Sequence, residues 1–207
     1  RLRRLARTVA GTEGILGLAV LAFLTSAAAW AIRTYTPSLL STGYGFPDGT
    51  ASALTAAMLA VGAGLILVGG DLTDRVGVGP VVVGGYALLV VVASLLATLL
   101  LPPVGVGIVL VLSGAISLSR PARSALADRL SARADLGKNF AVVTIGISLG
   151  GVVAPPAFGY LVASIGLTAS FGVVSVLGVA SLWLGWQIVR AAGRPVAMPG
   201  GRVDADD

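Results

Sequence analysis

The chain holds few side chains able to do chemistry, and their types narrow its function early. It has no Cys and no His. Disulfides, thiolate nucleophiles and most transition-metal sites are therefore out, and neither a metal nor a cofactor is expected. Intramembrane proteolysis by a Ser–His pair goes with them. No G-x-x-x-x-G-K-[ST] loop occurs, so an ATP-driven pump is not expected either. What remains is one tight knot of charge and a scatter of hydroxyls. The knot is Gly70-Asp71-Leu72-Thr73-Asp74-Arg75-Val76-Gly77. The hydroxyls, Thr25, Ser26, Thr55, Ser113, Ser117, Thr144 and Ser148, all sit inside long apolar runs. A hydroxyl there can bind a polar solute, or it can bond its own i−4 carbonyl or a neighbouring helix. Nowhere do ionisable or nucleophilic groups cluster at membrane depth, so no enzyme is expected.

The elements that must position these groups follow from composition. Hydrophobic residues make up 56% of the 207 and charged residues 11%. A soluble domain carries about 25% charged residues. With a mean hydropathy of +0.97, the chain reads as an all-α integral membrane protein. Six spans are predicted, at about 14–33, 50–69, 80–101, 104–120, 139–163 and 167–189. Together they form a transmembrane domain over 14–190, after a basic lead-in at 1–13 and before a disordered tail at 191–207. An aromatic loop at 34–49 and an amphipathic surface helix at 121–138 complete the layout. The third span is Val- and Leu-rich and predicts a lipid-facing helix. Thr50 is the expected cap of the second span. In the knot, glycines supply the reversal and Asp74 is expected near the start of the next helix.

Six spans place both termini on one side. The predicted boundaries put Arg33 alone on the opposite face from every other basic residue, so both termini are expected to be cytoplasmic. That split also accounts for the net charge of +5 without a nucleic-acid partner.

The knot resembles the loop signature of the major facilitator superfamily, G-x-L-x-D-R-x-G-R-[KR]. Gly70, Leu72, Asp74, Arg75 and Gly77 take the family's positions in order. Val78 and Gly79, followed by Pro80, replace its two basic residues, which keeps the turn part of the motif and loses the charge part. The fifth span, with Gly146, Gly150, Pro155, Pro156 and Gly159, is similar to the kinked, Gly-rich fifth or eleventh helix of that family, although Ala154 stands where a glycine is usual. The resemblance implies one six-helix half of a two-half transporter working by alternating access. An Arg-rich opening without Met and an acidic ending at Asp204-Ala205-Asp206-Asp207 fit the C-terminal half. It further implies cavity-lining roles for Thr25, Ser26 and Trp30 on the first span and Ser113 and Ser117 on the fourth.

The function expected is secondary transport of a small organic solute across the cell membrane, in the form of drug or metabolite efflux, by an antiporter whose coupling residue is in the missing half or else by a uniporter, since no span here carries an acidic residue near its middle. The partners expected are a small-molecule substrate, the lipid bilayer, and a missing N-terminal half or else a second copy. Asp74 and Arg75 form either a cytoplasmic latch between halves or a helix cap and a headgroup anchor. The alternative function is a non-transporting six-helix structural or assembly subunit.

Overall fold

The computed structural model describes residues 2–131 and 135–192, with 2–13 as backbone only. The described residues are all helical or in turns, and six stretches among them are long and apolar enough to span a bilayer: Gly14–Gly43, Asp48–Val76, Val78–Thr98, Pro103–Leu130, Leu136–Ile165 and Leu167–Ala192. The basic lead-in falls largely on backbone that belongs to the first helix. Most of the predicted tail, 193–207, lies outside the described residues.

Helix α1 is Leu2–Ser38, and a π-helical turn, Leu39–Gly43, extends it. Pro37 lies near its end and has no N–H to give the carbonyl of Arg33. The wider π turn follows that break. The aromatic loop expected at 34–49 is thus mostly helix, and the true connection is Tyr44–Pro47. Helix α2, Asp48–Val76, has Pro47 at its N-cap position and makes no side-chain cap bond, so Thr50 lies inside the helix. Helix α3 is Val78–Thr98.

Two short reversals are each made by one glycine. Gly77 (φ +90°) separates α2 from α3, and Gly166 (φ +83°) separates α6, Leu136–Ile165, from α7, Leu167–Ala192. Only glycine adopts such angles without strain. The knot is therefore helical up to Val76. Asp74 lies in the last turn of α2, where a carboxylate faces the negative end of the macrodipole, and it does not cap α3.

The fourth span also differs from expectation. Helix α4, Pro103–Ala115, passes through a 3₁₀ turn, Ile116–Leu118, into α5, Ser119–Leu130. Pro121 stands in the first turn of α5, where a missing N–H does little harm. The span does not end there, and α5 is no surface helix: it buries Ala122, Arg123, Leu126 and Ala127.

Small residues set the packing. A Cβ on Gly146 would collide with the carbonyl of Ala19, one on Gly150 would lie 2.5 Å from Phe23 O, and one on Gly159 would lie 2.5 Å from Tyr35 Oη. Residue numbers rise together along this seam, so α1 and α6 pack in parallel with backbones nearly touching. Ser26 donates to Ile147 O at 2.7 Å and Tyr35 to Pro155 O at 3.1 Å across it. Pro155 and Pro156 leave the carbonyls of Gly151 and Val152 without helical donors, yet α6 continues through them. Gly62 meets Gly114 where α2 crosses α4.

Helix α3 buries one face of its apolar surface: Val82, Leu89, Val92 and Leu96 are fully or almost fully buried, and Gly178 and Gly185 of α7 bring that helix against Val90 and Tyr86 in antiparallel sense, while Val91 and Leu95 are exposed. In a bilayer, apolar side chains serve protein and lipid contacts alike, so uniform composition does not assign a face.

Candidate functional site

Two apolar clusters fill the bundle, one above the other. One gathers Ile32, Leu39, Leu96, Leu110, Phe158 and Phe171, and the other Leu18, Leu21, Val82, Leu126, Val143 and Ile188. Buried polar residues fall between them or at the boundary on four helices: Thr25 and Ser26 on α1, Tyr86 on α3, Ser119 and Arg123 on α5, and Ser181 on α7. The result is a polar layer at mid-depth.

Its centre is Arg123. The residue is only 8% exposed. Its Nη1 donates to Thr25 Oγ1 at 2.7 Å, while Thr25 donates to Leu21 O at 2.8 Å. Beside it the hydroxyl of Tyr86 is buried next to Arg123, Thr25 and Ser119 but makes no hydrogen bond of good geometry among the described residues. A buried hydroxyl without a partner is uncommon and costs about 1–3 kcal/mol. Arg123, Tyr86, Thr25, Ser26 and Ser119 surround a recess of about 50 Å³, which Arg33 and Arg120 also touch.

The recess adjoins a larger chamber of about 490 Å³ between α1, α2 and the α4–α5 rod. Trp30, Met58, Leu59, Ile66 and Leu89 give it apolar walls, and Arg33, Arg120, Thr25, Ser113 and Ser117 its polar ones. Neither space is lined by Asp or Glu. Arg33 lies 5.8 Å from the centre of the Trp30 ring, within cation–π range. The one ion pair among the described residues lies elsewhere, so all three guanidiniums lack a carboxylate partner there.

The 3₁₀ turn helps to gather these groups. On a regular helix Arg123 would lie about 80° around the axis from Ser113. Three residues at about 120° each, in place of about 100°, add roughly 60° and bring Arg123 to about 20° from it. The turn is held by Ser119 Oγ donating to Ile116 O at 2.8 Å.

Of the residues expected to line a cavity, Thr25, Trp30, Ser113 and Ser117 border the chamber, and Ser26 borders the recess. Thr25 and Ser113 also donate to carbonyls of their own helices, Ser113 to Leu110 O at 2.6 Å. Thr55 is buried and bonds Ala51 O, whereas Thr144 and Ser148 face outward. In the knot, Arg75 Nε pairs with Asp71 Oδ2 at 2.9 Å, one helical turn back, and both are exposed. Asp74 is exposed and has no ion-pair partner among the described residues. Gly70 has open space around it, Leu72 packs against the lower cluster, and Gly77 makes the reversal.

A family model described as the Major Facilitator Superfamily matches residues 18–204. The chain belongs to that superfamily. No curated protein matches it in sequence. Among solved structures it is similar to a POT family transporter in complex with 5-aminolevulinic acid, with a TM-score of 0.76 and 18% identity over 87% of this chain. It is also similar to the POT family transporter PepTSo, with a TM-score of 0.78 and 17% identity over 91%. At that identity the likeness shows the fold. The chain spans 39% of the length of each, and one half of the major facilitator fold fits its 207 residues. Both of these similar structures are transporters.

Within this superfamily member, sequence reasoning missed Arg33, Arg120, Arg123 and Tyr86. It counted Arg120 and Arg123 with the basic end and Arg33 alone at the other, whereas all three converge on one recess. The available signal was spacing: Ser113, Ser117 and Arg120 follow one helical stripe. Pro121 hid it by reading as the end of the span.

Proposed function

We propose that this chain is one half of a secondary transporter that moves a small organic solute by alternating access, with the chamber between α1, α2 and α4–α5 as its share of the path. One observation carries the reading. Arg120 is exposed and Arg33 half-buried at a chamber that sits within the spans. Charged groups at that depth face water or protein, because hydrocarbon leaves them unsolvated. A facing half supplies that water-filled enclosure, either as a further segment of the same chain or as a second copy. Thr25, Ser26, Trp30, Ser113 and Ser117 then line the path.

The end that holds the Gly77 reversal carries Arg75, Arg129, Lys138 and Arg190, while the connections at 44–47, 99–102 and 166 carry no basic residue. By the positive-inside rule that end is cytoplasmic, as are both termini. The host is the cell membrane, and efflux by antiport is the direction to test first. Gly70, Leu72, Asp74, Arg75 and Gly77 form the cytoplasmic switch, with Asp74 as its carboxylate, unpaired among the described residues, while Arg75 is held by Asp71.

This chain has no cysteine, so Ser117→Cys, made with any cysteine of the facing half replaced by serine, gives a single thiol. In the whole protein in proteoliposomes, an impermeant maleimide should label it from each side in turn as solute is added or withdrawn. Labelling from neither side, or from one side under every condition, refutes alternating access here.

A further inference from the structure

Resting on that transport reading, we infer that the cavity takes an amphipathic organic anion, with its carboxylate in the inner recess and its apolar body in the larger chamber.

Charge is the first support. Arg33, Arg120 and Arg123 all border the recess, and no acidic side chain borders either space. A cleft lined by one sign of charge concentrates the opposite ion. On this chain's side a cation would meet three guanidiniums and, among the described residues, no carboxylate.

Size is the second. A water needs roughly 10–15 Å³ of such space. The recess, at about 50 Å³, has room for a few waters or one carboxylate and is too small for an aromatic ring. The chamber is nearly ten times larger and is walled by Trp30, Met58, Leu59, Ile66 and Leu89, which suit an apolar body.

The donors are the third. Arg123 is buried and spends one N–H on Thr25. A guanidinium has five donors. The Tyr86 hydroxyl, enclosed at the same recess beside Thr25 and Ser119, makes no hydrogen bond of good geometry among the described residues. An acidic side chain, with two acceptor oxygens and a negative charge, would answer both needs, and this chain places none there. A ligand carboxylate is the group that does. Bonds from a charged donor to a charged acceptor are the strong ones.

The test uses Trp30, which stands at the chamber wall and is partly exposed. The whole protein is placed in phosphatidylcholine nanodiscs with every other tryptophan replaced by phenylalanine. Quenching of Trp30 is measured with iodide, caesium and neutral acrylamide, each relative to free tryptophan. Iodide should exceed caesium by about tenfold or more. Arg33→Gln and Arg120→Gln, both at the accessible edge, should each cut that preference several-fold, as should Arg123→Gln if it folds. 3-Phenylpropionate should then shield Trp30 from iodide at concentrations at least about tenfold below 3-phenylpropionamide, the neutral isostere.

Acrylamide reaching Trp30 while iodide and caesium act equally would overturn the anion assignment alone. Equal shielding by acid and amide, or shielding by neither, would also overturn it. Acrylamide failing to reach Trp30 would mean a sealed chamber, and the transport reading would fall with the assignment.

Discussion

Gly150→Ala tests the packing that sets the site. The added Cβ would lie 2.5 Å from Phe23 O, 2.9 Å from Ala27 N and 2.9 Å from Ser26 Cβ. Carbon–oxygen contacts in proteins sit near 3.3 Å, so α1 and α6 must part by about 0.8 Å. Two of the three obstacles are backbone atoms, which cannot swing aside. The same shift stretches the Ser26–Ile147 bond from 2.7 Å to about 3.5 Å, beyond hydrogen-bonding range. Overpacking costs about 1–3 kcal/mol, and an interhelical bond in a membrane averages about 0.6 kcal/mol. Against this, alanine is the better helix former by about 1 kcal/mol. The net expectation is a loss of about 0.6–2.6 kcal/mol. Gly172→Ala is the control, since nothing lies within 4 Å of its added Cβ. It gains the propensity without the clash. Both variants are compared with wild type by thermal unfolding in mild detergent. If Gly150→Ala melts no lower than Gly172→Ala, the close α1–α6 seam is not what holds these helices.

Other variants separate site from scaffold. Tyr86→Phe removes a hydroxyl that makes no hydrogen bond of good geometry among the described residues, so the ligand-free protein should be as stable or up to about 1 kcal/mol more stable. Its affinity for 3-phenylpropionate should nonetheless fall, which paired melting and binding curves would show. Gly69→Ala brings a Cβ 2.6 Å from Leu118 O and presses on the 3₁₀ turn. It should cost about 1–3 kcal/mol and reduce the iodide preference of Trp30, although residue 69 does not line the recess. Arg75→Gln breaks an exposed i,i+4 pair and should change stability by less than about 0.5 kcal/mol in chemical denaturation. Asp74→Asn should alter the balance of inside and outside labelling at Ser117→Cys; an unchanged balance with a full transport rate would remove Asp74 from the switch.

Much of the architecture was legible because bilayer physics writes it locally. Twenty apolar residues must span, and a lone glycine between two such runs must reverse the chain, as Gly77 and Gly166 do. The Gly146–Gly150 spacing likewise announced close helix contact. Boundaries were less legible wherever a residue taken for a terminator lay inside a helix. Pro37 fell in the expected loop and Pro121 just past the expected end of a span, yet one is helical and followed by a π turn and the other sits in a first turn.

The cavity was legible only in part. Hydroxyls on the first and fourth spans marked the helices that border it, but the arginines were assigned to the membrane surface. A linear pattern treats a charge as the end of a span. A folded bundle can keep one inside, given a polar partner such as Thr25 and a space that holds water or a ligand.

The sequence alone thus determined the solvent, the number of crossings and the absence of thiol and imidazole chemistry, since each depends on composition or on neighbours in the chain. Tertiary structure decided which charges meet. Arg33 and Arg123 are far apart in sequence, and they share a recess because α1 packs beside α5 and a 3₁₀ turn rotates the second arginine toward the first. Neither the crossing of two helices nor the phase between them is encoded in any one stretch of residues.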